Sequence, residues 1–179
     1  MSKVKIANVR LSFPSIWKMA EYNGQTLNKY EATFLIAKDD PQAKVIQDAV
    51  KAAGLETLGK EWAKAKLCII DGDSKDYDGY ADHWALKAST KKRPLLIDRD
   101  KSVLAEEDDV LYAGCYVNAS ISIYAFSNNY GKFVMAQLNG IQFSKAGDSF
   151  GGDGGNAMDD FDDEGEATSP SAFDEPAPF

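Results

Sequence analysis

The sequence predicts a mainly β chain: a small Greek-key β-barrel with one or two inserted helices and a disordered acidic C-terminal tail. Three observations carry that prediction. At least five segments read as strands, several of them alternating apolar and polar residues. A helical segment interrupts them once, which argues against the regular strand-helix alternation of a parallel α/β sheet. From Gly147 onward the composition changes abruptly.

The elements follow in order. Residues 3–13 alternate, with Ala7, Val9, Leu11 and Phe13 on one side and Ile6, Asn8, Arg10 and Ser12 on the other. This reads as a half-buried strand stopped by Pro14. A loop from Ser15 to Lys29 follows, with a turn at Asn23-Gly24. Tyr30–Ala37 is a second strand. The next segment is signalled as a helix: Asp40 can cap it, Pro41 suits its first position, and Val45, Ile46, Ala49, Val50 and Ala53 recur at helical spacing before Gly54 ends it. A shorter helix is expected from Leu55 to Lys66, carrying Trp62. Further strands are expected at Leu67–Ile70, Trp84–Thr90, Leu95–Asp98, Val110–Phe126 and Phe133–Phe143, the last two joined by a turn at Asn128-Asn129-Tyr130-Gly131.

The charge divides the chain in two. The whole carries 28 acids against 20 Lys and Arg, a net of −8. Ten of those acids and no Lys or Arg lie in 147–179, so residues 1–146 carry a net of +2. The segment 147–179 also has six glycines, three prolines and no β-branched aliphatic residue, and cannot bury enough apolar surface to offset its chain entropy. The expected organisation is a domain over 1–146 and a disordered tail over 147–179. The start of the chain has no apolar signal segment, and its longest aliphatic run is far short of a membrane helix, so a soluble cytoplasmic protein is expected. Cys68 and Cys115 stand singly in apolar runs and read as buried reduced thiols.

The longest predicted strand puts Cys115, Val117, Ala119, Ile121, Ile123 and Ala125 on one face, clearly a core. The other face carries Tyr116, Asn118, Ser120, Ser122, Tyr124 and Phe126. A polar face with aromatics at intervals suits the stacking of nucleobases, and equally ordinary cross-strand aromatic pairing. Bases concentrate elsewhere, at Lys87, Lys91, Lys92, Arg93, Arg99 and Lys101, interleaved with aromatics through the preceding Lys75, Tyr77, Tyr80 and Trp84. Cations that track phosphates beside rings that stack bases are the pattern of single-strand binding, although a solvated charge run is the plainer reading.

Other chemistry is weakly signalled. A calcium-loop alignment over residues 74–85 starts on Ser74 and ends on Ala85, where an acid is required at both ends. Asp71 and Asp73 with Lys75 mimic a metal-nuclease pattern, which keeps a metal-dependent nuclease as an alternative. There is no phosphate-binding glycine loop, nucleophile elbow or zinc-protease motif, and His83, the only histidine, has no partner that sequence can place. No cofactor is expected. The tail ends Asp174-Glu175-Pro176-Ala177-Pro178-Phe179, and a terminal aromatic carboxylate among acids is a compact ligand for a basic, apolar pocket on a partner.

Together these residues resemble phage-type single-stranded DNA-binding proteins with an OB fold, in particular a phage family first catalogued as a domain of unknown function. The matching stretches are residues 9–14, 30–36, 71–73, 92–94 and 112–118 and the hairpin through 138–142. Ala177 and Pro178 depart from the commoner ending of such tails. The resemblance implies sequence-independent binding of single-stranded DNA in phage replication, recombination or repair, inside the infected bacterial cell. Arg10, Lys75, Lys87, Lys91, Lys92 and Arg93 are then the expected phosphate contacts, and Trp17, Tyr77, Tyr80, Trp84, Tyr116 and Tyr124 the stacking platforms. Asp174, Glu175 and Phe179 would recruit replication or recombination proteins, and the tail would screen the DNA groove. A homodimer is compatible with this reading. A nuclease, or an assembly protein kept soluble by its tail, remains the alternative.

Overall fold

A computed structural model describes residues 2–150. Five strands form the barrel: β1 (Ser2–Ser15), β2 (Tyr30–Ala37), β3 (His83–Thr90), β4 (Tyr116–Asn128) and β5 (Gly131–Lys145). β1, β2 and β3 form an antiparallel meander. The β4–β5 hairpin closes it, β4 pairing antiparallel with β1 and β5 pairing parallel with β3 at Ala136↔Ala88 and Gln137↔Ser89. This is the expected closed barrel. Short strands at Lys66–Leu67 and Leu95–Ile97 add parallel to β5, and Ile69–Asp71 adds to β3.

The barrel interior is filled by Ile6, Val9, Leu11, Phe34, Ile36, Leu86, Val117, Ile121, Ile123, Val134, Leu138 and Ile141, all almost fully buried. The simple alternation read for residues 3–13 fails in the middle. Ile6 points inward together with Val9 and Leu11, because the register with β4 slips between Ile6 and Val9. Asn8 takes up the extra residue at φ 56°, and its backbone N–H is held by the Asn118 side-chain oxygen at 2.9 Å. β1 also runs through Pro14 to Ser15, and Phe13 turns outward at φ 44° instead of joining the core.

Helix α1 (Pro41–Leu58) starts as expected: Asp40 accepts a hydrogen bond from the Gln42 N–H, and Pro41 occupies the first turn. It does not stop at Gly54, which lies buried inside it. A Cβ at Gly54 would stand 2.7 Å from the Cβ of Trp62, so the glycine marks a close approach and not an end. The helix ends at Gly59, φ 59°, and a 3-10 turn over Gly59–Lys64 replaces the expected second helix. β4 likewise begins at Tyr116, not at Val110. The preceding residues form a turn, with the Gly114 N–H donating to the Leu11 carbonyl. Cys68 and Cys115 are buried and unpaired, as read, and burial pushes the Cys68 thiol up to about 12.

The first four residues of the expected tail pack on the barrel. Residues 147–150 form a strap along the barrel surface. The Tyr112 hydroxyl donates to the Gly147 carbonyl at 2.8 Å, and the Phe150 N–H donates to the Ala113 carbonyl at 3.1 Å. Phe150 is 6 % exposed, set against Leu35, Tyr80, Ala85 and Ala113. A Gly-Asp-Ser-Phe sequence looks like the rest of the tail, but one phenylalanine over an apolar notch is enough to hold it. The remaining tail, with Asp174, Glu175 and Phe179, lies outside the described residues.

Candidate nucleic-acid interface

Residues paired directly across adjacent strands point to the same side of a sheet. The pairings Ala85↔Leu35, Leu35↔Arg10, Arg10↔Tyr116 and Tyr116↔Lys145 therefore make one outward row across β3, β2, β1, β4 and β5. Its centre is cationic and aromatic. The Arg10 guanidinium lies 5.5 Å from the Tyr116 ring centre, and the Lys145 ammonium covers the same ring at 4.7 Å. Arg10 donates through Nε to the Gly114 carbonyl at 3.1 Å and through a terminal nitrogen to the Asp148 carbonyl. It sits 4.2 Å above the Phe150 ring. A guanidinium has five N–H donors, so these contacts fix its plane and leave capacity for a phosphate.

The next row is Ser12↔Thr33↔Lys87. Lys87 is half-exposed and its ammonium lies 3.3 Å from Glu31, an acid on the same face. At the Tyr30 end of the sheet Arg93 lies over the Trp17 ring at 5.9 Å. Lys91 and Lys92 are exposed in the turn after β3, and Lys75 is exposed in the loop before it. Arg10, Tyr116 and Lys87 thus project from adjacent rows of the same sheet side, and Arg93 with Trp17 lies at its Tyr30 end.

The other four expected platforms are engaged differently. Tyr80 is 4 % exposed, its hydroxyl 3.0 Å from that of Ser12, so its ring is packing rather than an open stacking surface. Tyr77, half-exposed, packs edge-on against Tyr80 and against Phe13, with centroids 5.2 and 5.0 Å apart. Trp84 alternates inward with Leu86, packs against the core, and is covered by the Lys38 ammonium at 5.2 Å. Tyr124 lies on the outward face of β4 but eight residues from Tyr116, about 26 Å along the strand. There it stacks on Phe126 at 5.9 Å, and Phe126 on Phe133 at 5.0 Å.

Sequence reasoning missed Phe13, Lys145 and Phe150. Phe13 alternates like a core residue, and only its left-handed backbone turns it out. Lys145 carries no local signal, because its role comes from pairing opposite Tyr116.

The acids suspected of metal chemistry are engaged differently. Lys38 Nζ lies 2.8 Å from Asp71 and 2.6 Å from Asp73, and this ammonium holds both carboxyls below their usual range. Lys38 in turn is raised to about 12. Asp73 also accepts the Asp82 N–H, and Asp71 caps the turn at Gly72–Ser74. Among the described residues no cluster of three or more His, Cys, Asp or Glu is arranged to hold a metal.

Residues 2–170 match the family described as Enterobacter phage Enc34, ssDNA-binding protein. This chain belongs to that family. A curated relative, the putative protein p50 of Acyrthosiphon pisum secondary endosymbiont phage 1, is 41 % identical over 90 % of this chain and 93 % of its own length. The structure of the single-stranded DNA-binding protein from bacteriophage Enc34 in complex with ssDNA is 27 % identical, with a TM-score of 0.71 over 84 % of this chain and 90 % of that one. The bacteriophage T7 single-stranded DNA-binding protein gp2.5 shares the fold at 15 % identity, with a TM-score of 0.58 over 94 % of this chain and 99 % of that one. The barrel is thus the OB arrangement of the Enc34 protein, in a family of DNA-binding proteins and not of enzymes.

Proposed function

We propose that this chain binds single-stranded DNA without sequence preference in phage DNA replication, recombination and repair, along the outward face of β1, β2 and β3. The observation that carries this reading is the Tyr116 ring held between the Arg10 and Lys145 cations on the outward side of the sheet, in a chain of the Enc34 family. A ring offers a stacking surface that any base can use, and flanking cations neutralise the phosphates on either side. Lys87, Lys91, Lys92 and Arg93 extend the phosphate path towards Trp17, with Lys75 at its margin. The wedge of Phe150 under Arg10 supports a further element of the proposal: the tail screens this face and, once displaced, recruits replication or recombination proteins through Asp174, Glu175 and Phe179.

Titration with oligo(dT), followed by intrinsic tyrosine and tryptophan fluorescence at two salt concentrations, tests the reading. Quenching that weakens as salt rises is expected. Absence of quenching at low salt refutes it. Incubation of labelled strands with Mg²⁺ should leave them shifted but intact, because Lys38 already occupies the two carboxylates a nuclease would need.

A further inference from the structure

The outward face continues past Tyr116 into a cavity that the proposed groove does not use. Its volume is about 390 Å³, within the range that holds small organic ligands. Four strands build it. The pairings Leu95↔Gly140, Gly140↔Ser120 and Ser120↔Lys5 set one row, and Ile97↔Gln142 and Gln142↔Asn118 the next. Gly140 permits the close approach of Leu95, whose carbonyl would stand 3.0 Å from a Cβ there. Leu95, 54 % exposed, and Ile97 form an aliphatic wall on one side, and Lys5 stands exposed on the other. Among the described residues no acid lines the cavity.

Its polar groups are already oriented. Asn118 accepts the Asn8 N–H and donates to the Gln142 side-chain oxygen at 3.2 Å, and Gln142 donates to the Arg99 carbonyl at 3.1 Å. Each amide nitrogen carries two hydrogens, and these contacts use one on each, so both side chains retain a donor and a carbonyl lone pair. A mixed set of fixed donors and acceptors can meet the edge of any nucleobase. The aliphatic wall of Leu95 and Ile97 covers one of its faces, and a lysine at the rim meets its phosphate.

We infer that this cavity is a second base-binding site, which captures one nucleotide of the strand after it crosses Tyr116. The inference rests on the single-strand reading of the groove. Asn118 follows Tyr116 by two positions on the same strand face, about 7 Å away, so the two sites are contiguous. Because the amides are held by other protein groups, little conformational freedom is lost on capture.

The test uses the full chain, oligo(dT) of two lengths (about 6 and about 20 nucleotides, spanning the usual site sizes of such folds), and the variants Leu95→Glu and Lys5→Glu, both at exposed positions. Each variant should weaken the longer strand by about tenfold, the order expected for losing one captured base, and leave the shorter one unchanged. Photocrosslinking with a 5-iododeoxyuridine strand should label residues 95–97, 118–120 or 140–142 in the wild type. Unchanged affinity of Lys5→Glu for the longer strand, or equal losses on both lengths, overturns the second site, as does crosslinking confined to the Arg10–Lys87 face. A wild-type chain that binds neither oligonucleotide overturns the single-strand reading itself.

Discussion

Glu31 is the acid in the proposed phosphate path. Its carboxylate lies 3.3 Å from the Lys87 ammonium and 3.8 Å from that of Lys29, so it competes with DNA for both. Glu31→Gln should therefore raise affinity for oligo(dT) at low salt, by about twofold to fivefold, because both lysines are solvent-exposed although the carboxylate itself is largely buried. The gain should shrink as salt increases, which a titration at two ionic strengths measures directly. The Lys38 pair gives a pH prediction of definite sign. Asp71 and Asp73 have folded values below the ordinary 3.8, so their stabilising contribution is complete above 3.8 and is lost as acid titrates through the lowered values. Lys38 is raised from 10.5 to about 12, so its contribution holds below 10.5 and fades as alkali passes about 12. The double variant Asp71→Asn with Asp73→Asn should flatten the acid limb of a thermal-unfolding profile taken from about pH 2.5 to 5. An unchanged acid limb would remove these carboxylates from the account.

At the scale of elements, Gly54 sets two effects against each other. Replacing a helix-interior glycine by alanine ordinarily gains up to about 1 kcal/mol. Here the new methyl would meet the Cβ of Trp62 at 2.7 Å, an atom close to the backbone that cannot swing aside. The clash wins, and Gly54→Ala should lower the unfolding temperature; a higher one would show that the 3-10 turn yields easily. The same position explains what was legible in the sequence. Asp40 and Pro41 announce the helix start because capping is local. The end was unreadable because Gly54 serves a contact eight residues away. The hairpin turn at Asn128-Asn129-Tyr130-Gly131 was readable for the same local reason. The bulge at Asn8 was not, being held by Asn118 from 110 residues further along. Cations at Arg10, Lys87 and Arg93 could be picked out by type, whereas the burial of Tyr80 and the inward turn of Trp84 depend on neighbours that only the folded chain supplies.

For the whole molecule, the strap divides the tail's effects into two separable parts. Ending the chain after Phe150 removes nine acids and keeps the strap. Ending it after Ala146 also strips Phe150 from Leu35, Ala85 and Ala113 and releases Arg10 from Asp148. The shorter deletion should tighten oligo(dT) binding at low salt through loss of the competing polyanion. The longer one should tighten it further, but at a cost of about 2 kcal/mol from the lost phenylalanine burial, or about 4–8 °C in unfolding temperature. Equal stability of the two truncated chains would mean that Phe150 adds nothing to the barrel.

The order in which the barrel is completed has its own consequence during synthesis. A ribosome that has delivered residues 1–90 has made a three-stranded meander with two margins still bare, the free side of β1 and the Ala88 and Ser89 end of β3 that Ile69–Asp71 does not cover. Both wait for the same hairpin, because β4 covers one and β5 the other. Some forty further residues must emerge before either margin is covered, and until then each can pair with another nascent chain. The final hairpin thus acts as a single clasp. The acidic segment leaves the ribosome after that hairpin, when the barrel's own strands are all available to close.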